Sequence, residues 1–163
     1  AEVRRRTRPG LVDVSLDAYG WTGPWAGRRG FDSLVQMSSG IAEAGMRHFG
    51  RDRPTPLPVQ ALDHATGYLM AAAAVRGLSQ RLLNGTGSET RVSLARTAAL
   101  LLTAPALGET PAAAARTSAD FGAETERTTW GPARRLLPPL ALDGAAMRWD
   151  RPATALGTSP ARW

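Results

Sequence analysis

The chain has 163 residues, 43% of them hydrophobic, a net charge of +6 and no cysteine. That length suits one domain or a large piece of one, and the missing cysteine excludes disulfides, thiolate metal sites and cysteine nucleophiles. All 20 basic residues are Arg, scattered apart from Arg4-Arg5-Arg6 and the pairs Arg28-Arg29 and Arg134-Arg135 and not interleaved with aromatics, so a nucleic-acid platform is discounted and an anionic small molecule fits the charge equally well.

Much of the apolar content is alanine, which fills little volume, so the expected core is thin and its helices approach closely. The longest apolar run, near Leu69 to Val75, is far short of a membrane span. No signal peptide opens the chain, which starts Ala1-Glu2-Val3-Arg4 without a Met. A trimmed chain or fragment, located in the cytoplasm, is the expectation.

Residues 1–10 are basic, end in Pro9-Gly10 and read as a connector or a frayed end. Leu11 to Leu16 alternates apolar and polar, a strand signal. Asp17 to Gly30 carries Gly20, Gly23, Gly27 and Gly30 with Pro24, Trp21 and Trp25, so no regular element can run through it. It is either a surface excursion pinned by its tryptophans or a working loop. In the second case Gly20, Gly23 and Gly30 are the candidates for letting backbone N–H groups approach an anion or a thioester oxygen.

Phe31 to Ala44 reads as one helix, capped by Asp32 or Ser33, with Phe31, Leu34, Val35, Ile41 and Ala42 on its apolar face. Gly40 interrupts it and Gly45 ends it. Met46 to Pro58 is a proline-rich loop leading to Val59 and Asp63. From His64 to Leu83 the residues favour helix, with Tyr68, Ala72, Val75, Leu78 and Leu82 on one face, and Asn84-Gly85 as a left-handed stop.

Thr90 to Leu94 is a second strand, and Ala95 to Leu102 a short apolar helix ended by Pro105. A strand–helix–helix–strand order belongs to a layered α/β domain. Ala106 to Glu126 reads as a linker or weak helix. From Arg134 onward, Leu136, Leu137, Leu140 and Leu142, the Asp143-Gly144 turn, and Met147 and Trp149 give a β-hairpin-like segment. No internal repeat is seen.

Few constellations carry chemistry. His48 and His64, the only histidines, lie in different elements with no carboxylate cluster at ligand spacing, so no metal site is expected. No Gly-x-Ser-x-Gly elbow occurs, and Ser33, Ser38 and Ser39 fall in a helix pattern. The glycine-rich loop lacks the Lys of a P-loop and the spacing of a dinucleotide fingerprint. His64 reads as a surface or helix-start histidine, and Trp21 and Trp25 as loop anchors. Asp63 stands where loop chemistry gives way to helix chemistry. A carboxylate there serves as an N-cap. The helix dipole favours its charged form, which a carboxylate nucleophile also needs. The residues alone leave both roles open.

Four ordered motifs carry a resemblance. Val12-Asp13-Val14-Ser15-Leu16-Asp17-Ala18-Tyr19-Gly20-Trp21-Thr22-Gly23-Pro24, then Gly30-Phe31-Asp32, then Leu62-Asp63-His64-Ala65-Thr66-Gly67, then Gly85-Thr86-Gly87 before Val92-Ser93-Leu94, resemble the family III CoA-transferases, the CaiB/BaiF group. The likeness covers residues 9 to about 100, with a further similarity from Pro138-Pro139-Leu140 to Trp149 and Pro152. It implies an α/β fold, an incomplete part of the family's Rossmann-like large domain. Residues 1–104 would be the central part of that domain, 105–130 a linker or reduced small domain, and 131–163 a C-terminal segment returning to it.

The resemblance implies an acyl-CoA:carboxylate CoA-transferase fragment. In the family a single Asp attacks the acyl-CoA thioester, a mixed anhydride and then an aspartyl-CoA thioester form, and CoA passes to an acceptor carboxylic acid. Asp63 is the matching residue. Coenzyme A enters as the thioester substrate; no bound cofactor or metal, no nucleic acid and no membrane is implied. The full-length protein would be an interlocked homodimer. The family's long N-terminal stretch is missing, so a catalytically inactive structural or dimerising half is one alternative. An α-methylacyl-CoA racemase-like enzyme is another. Racemases carry His where this chain has Phe31, and Phe31 cannot exchange a proton.

Overall fold

A computed structural model describes residues 2–105 and 114–162. The chain divides into two units, Ala1–Leu107 and Gly108–Trp163. In the first, the alternating stretch forms β1 (Val12–Asp17) and its partner β2 is Ser88–Ser93. They pair in parallel, Val12 opposite Ser88 through Asp17 opposite Ser93. Parallel strands require a long crossover. Here it consists of α2 (Asp32–Ser38), α3 (Ile41–His48) and α4 (Ala61–Asn84), and α5 (Leu94–Thr103) follows β2 directly.

The core is thin, as the alanine content predicts. Val35, Ile41, Leu62, Leu94 and Ala98 form it, with Ala18, Tyr19 and Ala95 packed against them. Polar groups buried beside it pair with one another: the hydroxyls of Thr66 on α4 and Thr97 on α5 lie 2.7 Å apart. An unpaired buried hydroxyl costs about 1–3 kcal/mol, which such a pair avoids.

In the first unit three expectations are corrected. Residues 1–10 are not a loose connector, because α1 (Glu2–Thr7) forms there. Arg4 makes an ion pair with Asp13 at 2.9 Å and Arg5 with Glu89 at 3.0 Å, so the basic run is held against the two strands. Second, the single helix predicted from Phe31 is two. Gly40 takes φ +94° and caps α3, which runs through Gly45 to His48. A left-handed residue cannot sit inside a helix, and glycine reaches that conformation without steric cost. Gly45 is kept in the helix by packing, since a side chain there would strike the carbonyl of Thr55.

The third correction concerns α4. The predicted apolar face, with Tyr68, Val75, Leu78 and Leu82, is exposed, Leu82 at 85%. The buried residues are Leu62, Thr66 and Gly77. Gly77 faces the strands so closely that a Cβ would lie 2.6 Å from Val12 Cγ1. An alanine-rich helix carries two plausible stripes. The one with small residues lets the backbone approach the sheet, and that approach decides the rotation. Gly85 ends α4 as predicted, at φ +74° with its N–H on the carbonyl of Arg81.

In the second unit, β3 (Phe121–Thr128) and β4 (Gly131–Leu136) form an antiparallel hairpin. The stretch predicted as a linker or weak helix lies outside the described residues from 106 to 113. Beyond them it forms a short 3₁₀ turn at Ser118–Asp120 and then β3. Pairing with β4 decides this, helped by Arg135, which donates two hydrogen bonds to the carboxylate of Glu126, each 2.6 Å. The Asp143-Gly144 turn forms too, with an isolated bridge between Leu142 and Ala145.

Candidate active site

Asp63 does not cap its helix. The N-cap is Gln60, which makes no side-chain capping bond, and Asp63 is the third helical residue. Pro56 and Pro58 keep the approach extended. Ala61 N–H donates to Val59 at 2.8 Å, and His64 N–H makes the first helical bond, to Gln60, at 3.1 Å. The helix therefore starts before the first residue that looks like a cap, and the Asp63 side chain is not consumed by its own backbone. It is exposed, and no hydrogen bond or salt bridge engages its carboxylate among the described residues.

The orphan N–H of Asp63 is satisfied from elsewhere. Asp32 Oδ2, 31 residues earlier, accepts it at 2.9 Å. Asp32 is 2% exposed and lies at the first position of α2. A buried carboxylate needs compensation. Asp32 receives it from the N-termini of two helices, its own and α4, whose unsatisfied N–H groups carry partial positive charge.

Gln36, one turn along α2 and also 2% exposed, completes the arrangement. Its Nε2 donates to Asp32 Oδ1 and to the carbonyl of Val59 at 3.0 Å. Its Oε1 accepts the N–H of Leu57 at 2.8 Å. The proline-rich loop, short of backbone donors, is thus anchored by one side-chain amide. Val35 and Leu62, both fully buried, pack in the core beneath this joint.

The other residues singled out from the sequence fall as follows. Phe31 is 77% exposed and precedes Asp32 as the N-cap residue of α2. His64 is exposed on α4. Gly20 and Gly23 have φ of +92° and +81°. The N–H of Gly20 is taken by Asp17 Oδ1 at 2.9 Å, and a Cβ on Gly20 would meet Ser93 at the start of α5. Gly30 packs under Tyr19, where a Cβ would lie 2.9 Å from the ring. No hydrogen bond among the described residues joins Gly20, Gly23 or Gly30 to Asp63. Trp25 stacks edge-on with Tyr19 at 4.9 Å between centroids and lies under the Arg28 guanidinium at 4.6 Å, as a loop anchor does.

Sequence reasoning missed Asp32 and Gln36 as parts of this site. Their signal was two polar residues one helical turn apart on the face of α2 that also carries Val35. No group of three or more potential metal ligands occurs among the described residues. No described helix is long and apolar enough to cross a membrane.

The sequence profile of CoA-transferase family III matches residues 1–134. An "Acyl-CoA transferase" of Fusarium pseudograminearum is 33% identical over 106 residues, which is 63% of this chain and 22% of that protein. "Probable fatty acyl-CoA transferase Rv3272" of Mycobacterium tuberculosis is 31% identical over 90 residues, 55% of this chain and 22% of its own length. The crystal structure of Rv3272 superposes on 60% of this chain and 27% of its own, with a TM-score of 0.51 and 29% identity. A CaiB/BaiF family protein from Brucella suis shares the fold over 81% of this chain and 36% of its own, with a TM-score of 0.53 and 23% identity. The chain spans about a fifth of the length of these two curated relatives.

Proposed function

The chain belongs to CoA-transferase family III, and we propose that it carries the nucleophile of an acyl-CoA:carboxylate CoA-transferase, with Asp63 as the attacking group. The observation that supports this most is the unengaged, exposed carboxylate on the first turn of α4, with its backbone N–H held by a buried partner. A nucleophile needs a free oxygen on a fixed backbone, and a carboxylate bonded to its own helix N-terminus would be held back from the substrate.

In the proposed reaction an Asp63 oxygen adds to the thioester carbonyl of an acyl-CoA. The C–S bond breaks and the CoA thiolate leaves, forming an aspartyl–acyl mixed anhydride. The thiolate then attacks the Asp63 carbonyl and expels the donor carboxylate, leaving an aspartyl-CoA thioester. An acceptor carboxylate repeats the two steps in reverse, taking the CoA and freeing Asp63. No net proton or electron is exchanged, and coenzyme A enters and leaves as substrate. Asp63 lies in the first turn of α4, where the helix dipole is favourable to an acidic side chain.

A racemase-like exchange of an α-proton needs two acid/base groups. Phe31, at the position where racemases carry His, has none, which favours transfer over racemisation. A homodimer acting in the cytoplasm, recognising neither nucleic acid nor lipid, is part of the same proposal; sedimentation of the protein would test the dimer.

The test is covalent trapping. The protein is incubated with acetyl-CoA or octanoyl-CoA and quenched with hydroxylamine, and peptide mapping locates the hydroxamate. It is expected on Asp63, and Asp63→Ala is expected to lower turnover by about 10³-fold or more. Full turnover by Asp63→Ala would sink the assignment.

A further inference from the structure

We propose that Asp32 and Gln36 are positioning residues that set the attack geometry of Asp63; the inference rests on Asp63 being the nucleophile. The network they form has a fixed polarity. Leu57 N–H donates to Gln36 Oε1, Gln36 Nε2 donates to Asp32 Oδ1 and to the Val59 carbonyl, and Asp63 N–H donates to Asp32 Oδ2. Turning the Gln36 amide over would set its NH₂ against the Leu57 N–H and its oxygen against both Asp32 and Val59. Only one arrangement satisfies every member.

Its three backbone contacts, at Leu57, Val59 and Asp63, bracket the joint where the proline-rich loop becomes α4. Both side chains are buried, so water does not compete for these bonds. Val35, between them on α2, and Leu62, next to Asp63, are each 0% exposed in one core. The α2 side chains therefore transmit the position of a packed helix to the backbone of the reacting residue. No cation is paired with Asp32 among the described residues. Asp32, with two acceptor oxygens, can hold Gln36 and the Asp63 N–H at once, which no neutral side chain of its size can do.

The prediction separates geometry from binding. Asp32→Asn must present its NH₂ either to the Asp63 N–H or to Gln36 Nε2, so one contact becomes donor against donor. A displacement of about 1 Å at a reacting group costs up to about 100-fold in rate. We expect kcat to fall by about 10- to 100-fold, with the KM for acyl-CoA within about threefold, because a loss confined to the transition state leaves ground-state binding in place. Adduct formation on Asp63 in a single turnover slows in parallel. The double variant Asp32→Asn/Gln36→Glu restores matched polarity at Leu57, at Asp63 and between the two side chains, while setting a carboxylate oxygen against the Val59 carbonyl. It should regain about tenfold of the lost rate, a non-additivity that independent sites do not show.

The assay uses the full chain with acetyl-CoA and octanoyl-CoA as donors and propionate as acceptor, following propionyl-CoA by mass spectrometry. Should Asp32→Asn not fold, Gln36→Met carries the same test, since it keeps the length and burial of the side chain and removes its hydrogen bonds. Wild-type kcat in the folded variants, with Asp63→Ala inactive, overturns the positioning role alone. An active Asp63→Ala, or a wild-type chain that forms no adduct, overturns the nucleophile and this inference with it. A loss of kcat in Asp32→Asn that the double variant does not recover also overturns it, because matched polarity at Leu57 and Asp63 would then not set the rate.

Discussion

Gly67 and Gly77 lie on the same helix and have opposite surroundings, so replacing each by Ala tests the seating of α4 on the strands. In a helix interior, Gly→Ala removes backbone freedom from the unfolded chain and stabilises by about 0.5–1 kcal/mol. At Gly67 a Cβ meets nothing within 4 Å. At Gly77 it would lie 2.6 Å from Val12 Cγ1 and closer still to Ser88 Oγ. Carbon atoms rest about 3.5–4.0 Å apart, so roughly 1 Å must be found. Val12 and Ser88 are paired across the sheet, so neither strand can retreat alone. Overpacking of this kind costs about 1–3 kcal/mol. Gly67→Ala should therefore stabilise by about 0.5–1 kcal/mol and Gly77→Ala should be neutral or destabilise by up to about 2 kcal/mol. Urea unfolding followed by far-ultraviolet circular dichroism reads this, because every described α-helix lies in the first unit. Equal stabilisation by the two substitutions would refute the close approach of α4 to β1 and β2.

The rotation of α4 gives a second expectation. Leu62→Ala, at a fully buried position, should cost about 2–5 kcal/mol, whereas Leu82→Gln, at 85% exposure, should stay within about 0.5 kcal/mol. The reverse order in denaturation midpoints would restore the face read from periodicity. In the second unit, the hydrogen bonds from Arg135 hold the Glu126 carboxyl below the usual carboxylate range, against a smaller opposing effect of desolvation. A depressed folded value means the pair stabilises the hairpin above the ordinary carboxylate pKa and loses that contribution as pH falls through the folded value. A carboxyl-carbon NMR titration should show the Glu126 midpoint rising in Arg135→Gln, and an unchanged midpoint would remove the pair as its cause.

Local rules reached as far as local causes extend. The alternation of Val12 to Leu16 made β1, the glycines from Gly20 to Gly30 excluded regular structure, and Asn84-Gly85 stopped α4. Those features depend on neighbours within a turn or two. The joint at Asp63 does not. Asp63 resembles an N-cap in sequence, but a helix begins wherever its first N–H groups find acceptors. Here the acceptors are Val59 and Asp32. The basic N-terminus likewise reads as a connector until Asp13 and Glu89 are brought beside it.

The sequence alone determined the α/β class, the family likeness and the placing of one carboxylate at the start of the long helix, because periodicity, turn residues and motif order are written along the chain. Tertiary structure decided that Asp63 is free and not a cap, that α4 turns its small residues to the strands, and that Asp32 and Gln36 hold the joint. Each of these depends on groups far apart in sequence whose hydrogen-bonding and packing requirements are met only when the chain is folded.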